Sequence, residues 1–164
     1  MKILVAVDDK TYAQAVIDCI GSLTWEKKPE FKVLSCVPPL RYRIPTMTGV
    51  ADTRFVEVQE ERRRAAKSLV LGVSSQIAQL IPQITVEDIV LDGDPKMKIL
   101  DLATEWSADL IIMGSHSRNN LERLFLGSTS LAVLSHAPCS VLVAKVAKTA
   151  DKLTATAGAT EKNG

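Results

Sequence analysis

The sequence has almost no excess of charge of either sign. Its 164 residues include 20 Lys and Arg against 19 Asp and Glu, for a formal net charge of +1 at pH 7. This balance supplies no broad positive field of the kind that attracts DNA, RNA or an anionic membrane. Long apolar runs are also missing, since none reaches the ~18 residues of a membrane-spanning helix. The strand-like start at residues 2–7 lacks the length of a signal peptide, so we expect a cytoplasmic protein.

Paired cysteines and clustered metal ligands are absent as well. Cys19, Cys36 and Cys139 are odd in number and far apart, whereas zinc and dithiol sites need close pairs. We interpret them as small buried hydrophobic residues in a reduced compartment. His116 and His136 have no second ligand at a spacing that would place two ligands on one face. The sequence therefore predicts no metal site.

Two motifs of catalysis are missing too. There is no Gly-x-Ser-x-Gly elbow, and neither histidine has an evident orienting carboxylate, so a serine hydrolase is disfavoured. There is no Gly-x-x-x-x-Gly-Lys-Ser/Thr motif either. The sequence therefore lacks the lysine that, in this motif, offsets the negative charge on a transferred phosphoryl group. We expect no catalytic residue and no fast ATP turnover.

The sequence is rich in short apolar runs that alternate with helical patterns. Hydrophobic residues make up 46% of the chain, enough for one domain with its own core. Nearly continuous, β-branched runs are typical of buried parallel strands; they occupy residues 3–7, 31–37, 84–90, 110–113 and 141–143. This alternation predicts an α/β fold with an open, doubly wound parallel sheet, whose ligand crevice lies where the strand order reverses.

The segments between the runs have helical periodicity. In the long second segment one predicted apolar face contains Val58, Ala65, Leu69, Val73, Ile77 and Leu80. The basic run at residues 62–64 points in different directions from a helix and has glutamates close by, so we interpret it as a solvated helix surface. Asp94 and Pro95 predict the start of a third helix, with an N-cap followed by proline at the first helical position.

Two segments fit no element. Residues 38–52 contain three prolines and the cations Arg41 and Arg43; a loop of this length in a compact domain is expected to cover the crevice. After Val146 the chain consists mainly of Thr, Ala, Lys and Gly, a composition that cannot offset its ordering entropy. We predict a domain at residues 1–146 and a disordered tail at residues 147–164.

The most informative stretch follows the fourth apolar run. It reads Gly114-Ser-His-Ser117, nine further residues, then Gly127 and Ser128 at the start of a helical pattern. Glycines at a strand exit let main chain approach a ligand, and a helix start aims unpaired N–H groups at an anion. The stretch predicts a phosphate site. Two alternatives stay open: the glycines simply end a strand and begin a helix, and Asp8 merely caps the helix near Thr11.

These residues resemble the universal stress protein family, whose nucleotide-binding members carry Gly, two residues, Gly, nine residues, then Gly and Ser or Thr. Ser117 stands where the family usually has its second glycine, and its hydroxyl could donate to a phosphate oxygen. After Asp8 the family commonly has glycine and serine, whereas this chain has Asp9 and Lys10. The likeness extends from residue 1 to about residue 145, and includes the run around Asp94 and the last strand.

The resemblance implies strand order 3-2-1-4-5 with helices on both faces, and ATP, with or without Mg²⁺, in the crevice. Carried over by position, the binding residues would be Val7, Asp8, Val37, Met113, Gly114, Ser117, Arg118, Gly127, Ser128 and Thr129. It also implies a homodimer through the edge strand at Ser140–Ala144, whose long apolar run needs pairing or cover.

The leading hypothesis is a stress-response protein that takes up ATP or a related adenine nucleotide as a regulatory ligand. A nucleotide-independent, dimeric interaction protein of the same fold is one alternative. A slow ATPase is the other.

Overall fold

The computed structural model describes residues 1–25, 28–40, 53–115 and 126–146. Nine elements alternate along them: β1 (Lys2–Ala6), α1 (Lys10–Ser22), β2 (Glu30–Val37), α2 (Thr53–Leu80), β3 (Thr85–Asp92), α3 (Pro95–Glu105), β4 (Leu110–Gly114), α4 (Ser128–His136) and β5 (Ser140–Ala144). All five predicted strands are present, with ends shifted by one or two residues. Most of the expected covering segment (41–52), the predicted tail, and His116, Ser117 and Arg118 lie outside the described residues.

The five strands form one parallel sheet in the order β3-β2-β1-β4-β5, which confirms the predicted order 3-2-1-4-5. β1 is central: Val5 is paired in register with Val33 of β2 on one side and with Ile112 of β4 on the other. All three side chains are fully buried. This explains the continuous apolar runs, since a central parallel strand is covered on both faces.

Helices cover both faces of the sheet, as predicted. Successive side chains of a strand point to opposite faces, so Val5 and Leu4 belong to different hydrophobic clusters. On one side α1 and α2 pack on the sheet, for example through Ile20. On the other, α3 and α4 pack on it through Ile99 and Val133. Each fully buried aliphatic side chain contributes about 1.5–3 kcal/mol.

Helix α2 buries part of the predicted apolar face. Val73 and Ile77 are buried as predicted, together with Val70, which was not on the predicted face. Leu69 is partly buried, whereas the predicted Val58, Ala65 and Leu80 are exposed. The helix has 28 residues and thus a length of about 42 Å, against about 26 Å for the 8 residues of β2. Because a helix that follows a parallel strand runs back along the sheet, the first turns of α2 extend past the carboxyl edge.

Helix α3 begins as predicted. The Asp94 carboxylate accepts a hydrogen bond from the backbone N–H of Lys96 at 3.1 Å, and Pro95 occupies the first turn. The preceding turn needs Gly93, whose φ of +136° is one that L side chains rarely adopt. Within the described ranges, no helix is long and apolar enough to cross a membrane.

Candidate functional site

A cleft of about 610 Å³ opens at the carboxyl edge of the sheet. It lies over the ends of β1 and β4, where the strand order reverses, which is the position at which open α/β sheets bind ligands. The ends of these strands bring Val7, Asp8, Met113 and Gly114 to its floor. The first turn of α4 closes one side, and the start of α3 together with Arg62 of α2 borders the other.

The N-terminus of α4 faces this cleft without a side-chain cap. Gly127 is the N-cap residue, with φ −61° and ψ 157°, and no side chain there bonds to the first turn. The N–H groups of Ser128, Thr129 and Ser130 therefore have no partner within the helix. Ser130 is buried, and its hydroxyl donates to the carbonyl oxygen of Gly114 at 3.1 Å. This contact holds the positive end of the α4 dipole over the end of β4.

Asp8 and Asp9 have different roles although they are adjacent. The Asp9 carboxylate accepts the backbone N–H of Thr11 at 2.7 Å and caps helix α1. The alternative in which Asp8 is the cap is therefore wrong: the structure gives that role to the next residue. Asp8 is exposed and lines the cleft. Its carboxylate is available there as an acceptor for a ligand hydroxyl.

Arg62 reaches the cleft from α2. Its Nη1 donates to the carbonyl oxygen of Pro38 at 2.9 Å, and the side chain is partly buried. The solvated surface predicted for the basic run is thus wrong for Arg62. The prediction of a solvated surface is correct for Arg63, which forms an exposed ion pair with Asp92, and for Arg64, which is exposed. Among the described residues that line the cleft, Arg62 is the only one with a positively charged side chain.

The family of the chain follows from its match to known proteins. Residues 1–145 match the model of the Universal stress protein family. The chain belongs to this family. It is 30% identical over 149 residues to a universal stress protein of Synechocystis, covering 87% of this chain and 96% of that protein. The solved structure of universal stress protein UspA from Lactobacillus plantarum superimposes with a TM-score of 0.71 at 26% identity, covering 88% of this chain and 97% of that one.

More distant universal stress proteins share the fold and were solved with ligands. The Arabidopsis thaliana protein with AMP bound has a TM-score of 0.60 at 16% identity, covering 90% of this chain and 92% of that one. A structure from Archaeoglobus fulgidus is a complex with dAMP, with a TM-score of 0.56 at 21% identity. Another universal stress protein is a complex with cAMP, with a TM-score of 0.61 at 16% identity.

In this universal stress protein, seven of the ten predicted binding residues line the cleft: Val7, Asp8, Met113, Gly114, Gly127, Ser128 and Thr129. Ser117 and Arg118 lie outside the described residues. Val37 is absent from the lining; its side chain is buried, and its carbonyl oxygen accepts the N–H of Gly93 at 3.1 Å. Since side chains alternate along a strand, the residues on either side of it, Cys36 and Pro38, reach the cleft instead.

Cys36 is a protonated thiol in the wall of the cleft. Burial raises the pKa of the Cys36 thiol from 9.0 to about 12, the nearby Lys98 ammonium lowers it in part, and the Asp94 and Asp8 carboxylates raise it further. At neutral pH the group is therefore a small apolar surface rather than a nucleophile. In the described part of the chain no group of three or more His, Cys, Asp or Glu could hold a metal ion.

Proposed function

We propose that the protein binds an adenine nucleotide in the cleft at the carboxyl edge of its sheet. The observation that carries the proposal is the uncapped N-terminus of α4, which the Ser130–Gly114 hydrogen bond holds over the crevice. Unpaired N–H groups and the helix dipole favour an anion at this point. The choice of adenine nucleotide is supported by the AMP, dAMP and cAMP in structures of the same fold.

The cleft spans the ends of three neighbouring strands, β2, β1 and β4. The phosphate would accept N–H groups of Ser128 and Thr129, and the Asp8 carboxylate would accept a ribose hydroxyl. The base would lie near the end of β2, because β2 and β4 are separated by β1 alone and their ends are about 10 Å apart. At that end Pro95 and Ile99 of α3 offer apolar surface to an aromatic ring.

In this proposal ATP or a related adenine nucleotide is a regulatory ligand of a cytoplasmic stress-response protein. Regulation requires that the nucleotide bind two states of the protein with different affinity. The absence of a phosphate-loop lysine from the sequence supports a ligand that is held rather than turned over quickly. Mg²⁺ would enter with the phosphates of ATP, since this ion is usually bound by one or two carboxylates together with substrate phosphates.

Isothermal titration calorimetry with AMP and with Mg-ATP tests the proposal through a matched pair of variants. The backbone of Gly127 (φ −61°) suits any residue, so Gly127→Ala should keep affinity within about threefold. Gly127→Asp adds a capping carboxylate that competes for the same N–H groups and repels phosphate. We expect it to lower affinity at least tenfold, about 1.4 kcal/mol, while the melting temperature is unchanged or higher.

Lack of binding of AMP and of Mg-ATP to the wild-type protein at millimolar concentration would overturn the proposal and leave the nucleotide-independent interaction protein. Phosphate release is followed in the same samples. Release faster than in buffer, lost in Gly127→Asp, would establish the slow ATPase.

A further inference from the structure

The Pro38 carbonyl and the Arg62 guanidinium lie side by side at the end of the cleft opposite α4. Arg62 Nη1 donates to the Pro38 oxygen at 2.9 Å, and both residues line the cleft. A carbonyl oxygen can accept a second hydrogen bond, and a guanidinium has five N–H donors, of which this contact uses one. The pair therefore presents an acceptor next to a donor to whatever occupies that end of the cleft.

Arg62 is held in this position by the register of α2. It precedes the buried Val73 by eleven residues, which is about three full helical turns, so both lie on nearly the same face, the one turned to the sheet. The first turns of α2 extend past the carboxyl edge, and Arg62 is the residue by which this extension borders the cleft. The bond to Pro38 further limits the rotamers of the side chain, so less entropy is lost when it meets a ligand.

The site at α4 lies too far from this pair for one phosphate to contact both. Arg62 bonds to the residue that follows β2, whereas the α4 turn is anchored on the last residue of β4. These strand ends are about 10 Å apart. A nucleotide with its phosphate at Gly127 would place its base, rather than its ribose or phosphate, against Arg62 and Pro38.

We propose that Arg62 and the Pro38 carbonyl select adenine over the keto purines. The inference rests on the proposed function and names the part of the chain that reads the base. Adenine presents an amino donor beside a ring-nitrogen acceptor, at N6 with N1 or at N6 with N7, which complements the acceptor–donor pair. Hypoxanthine presents a keto oxygen at position 6, which faces the Pro38 oxygen with like polarity. A purine with a 6-keto group complements the pair only when the base is turned over, with N1–H on the Pro38 oxygen and the keto oxygen on Arg62, so it cannot keep the orientation that adenine takes between this pair and the phosphate site.

The discriminating measurement compares AMP with IMP, which differ at position 6 and in the proton on N1. Calorimetry on the wild-type protein should give at least tenfold tighter binding of AMP, the value of about one charge-assisted hydrogen bond. Arg62→Met keeps the length of the side chain and removes its donors. We expect it to weaken AMP about tenfold and to bring the two affinities within about threefold of each other.

Arg64→Met is the matched control, because Arg64 is exposed and its guanidinium bonds only weakly to the Glu60 carbonyl, at 3.4 Å; it should keep the wild-type preference. Arg62→Lys keeps the charge without the planar fork and serves if Arg62→Met does not fold; it should lose most of the preference.

Three results would overturn the inference while leaving nucleotide binding in place. These are equal affinity of the wild-type protein for AMP and IMP, unchanged binding in Arg62→Met, and an equal loss for both ligands in that variant. An equal loss for both ligands would mean that Arg62 contacts the phosphate or only keeps α2 in place. Failure of the wild-type protein to bind AMP is a different result, because it removes the proposed function itself.

Discussion

A Cβ atom placed on Gly114 would lie 2.7 Å from Cβ of Tyr12. Real Cβ atoms essentially never approach each other so closely, so glycine at the end of β4 is required by the packing of α1 against that strand. The alternative hypothesis, in which this glycine simply ends a strand, is therefore correct in part. Gly114 lines the cleft as well, and its carbonyl oxygen positions Ser130.

Gly114→Ala should destabilise the fold by about 1–3 kcal/mol, the usual effect of overpacking a tight contact. Urea unfolding followed by circular dichroism measures it. Gly72→Ala is the control: Gly72 is exposed in α2 with nothing within 4 Å of an added Cβ, and alanine there should stabilise by up to about 1 kcal/mol. Equal effects of the two substitutions would contradict the proposed contact with Tyr12.

Asp9→Ala and Asp8→Ala should separate stability from binding. Loss of the bond to the Thr11 N–H should cost about 1 kcal/mol in the free energy of unfolding. Asp8 has no such role, so its removal should change stability by less than about 0.5 kcal/mol and weaken AMP. Denaturant unfolding and calorimetry on both variants provide the check. A larger stability loss in Asp8→Ala would show that the caps are assigned to the wrong residue.

The strands could be predicted from sequence because their burial on two faces leaves a direct signal, the short β-branched run. The predicted run at residues 84–90 stops two residues before the end of β3. The apolar Leu91 continues the run and belongs to the strand. Asp92 pairs in register with Val37 of β2, and a polar residue on an edge strand carries no apolar signal. The order of the strands came from the family resemblance, since neither periodicity nor composition states which strands are neighbours.

The floor of the cleft could also be predicted from the sequence, because the residues that directly follow parallel strands lie together at one edge of the sheet. Arg62 was not predicted to line it. It precedes the buried Val73 by eleven residues, about three full helical turns, so periodicity alone puts both on nearly the same face. The charge of the run at residues 62–64 favours a solvated surface instead, because arginine is rarely buried. Periodicity also does not show that this part of α2 extends past the sheet, where the partly buried guanidinium reaches the cleft.

Cys36 should make stability depend on pH in the alkaline range. The thiol of the unfolded chain ionises near 9.0 and that of the folded protein at about 12, so between these values the folded state holds more protons. The free energy of unfolding should therefore fall as pH rises from about 9 toward 12. Urea midpoints at about pH 8 and about pH 10 should show a larger decrease for the wild-type protein than for Cys36→Ala. Identical slopes in the two proteins would contradict the raised pKa.

Strand β5 leaves one backbone edge of the sheet unpaired within the described chain. One hydrogen bond shows which residues of β5 direct their backbone N–H and C=O groups to that edge. The N–H of Ser115 donates to the carbonyl oxygen of Ala144 at 2.9 Å, so Ala144 directs its backbone groups toward β4. Because backbone direction alternates along a strand, Leu142 does the same, and Val141 and Val143 direct theirs to the free edge. The predicted homodimer would pair through those two residues.

Val143→Pro should therefore abolish the dimer while the monomer stays folded, since proline is tolerated on an edge strand when its missing N–H faced outward. Leu142→Pro is the contrasting variant; it removes a bond to β4 and should unfold or strongly destabilise the protein. Sedimentation equilibrium at tens of micromolar, with circular dichroism, distinguishes the two effects.

Helix α4 packs on β5, and its exposed Leu131 and Leu134 would widen such an interface. Leu131→Glu should therefore weaken the dimer too. A wild-type protein that sediments as a monomer at these concentrations would remove the edge-strand dimer altogether.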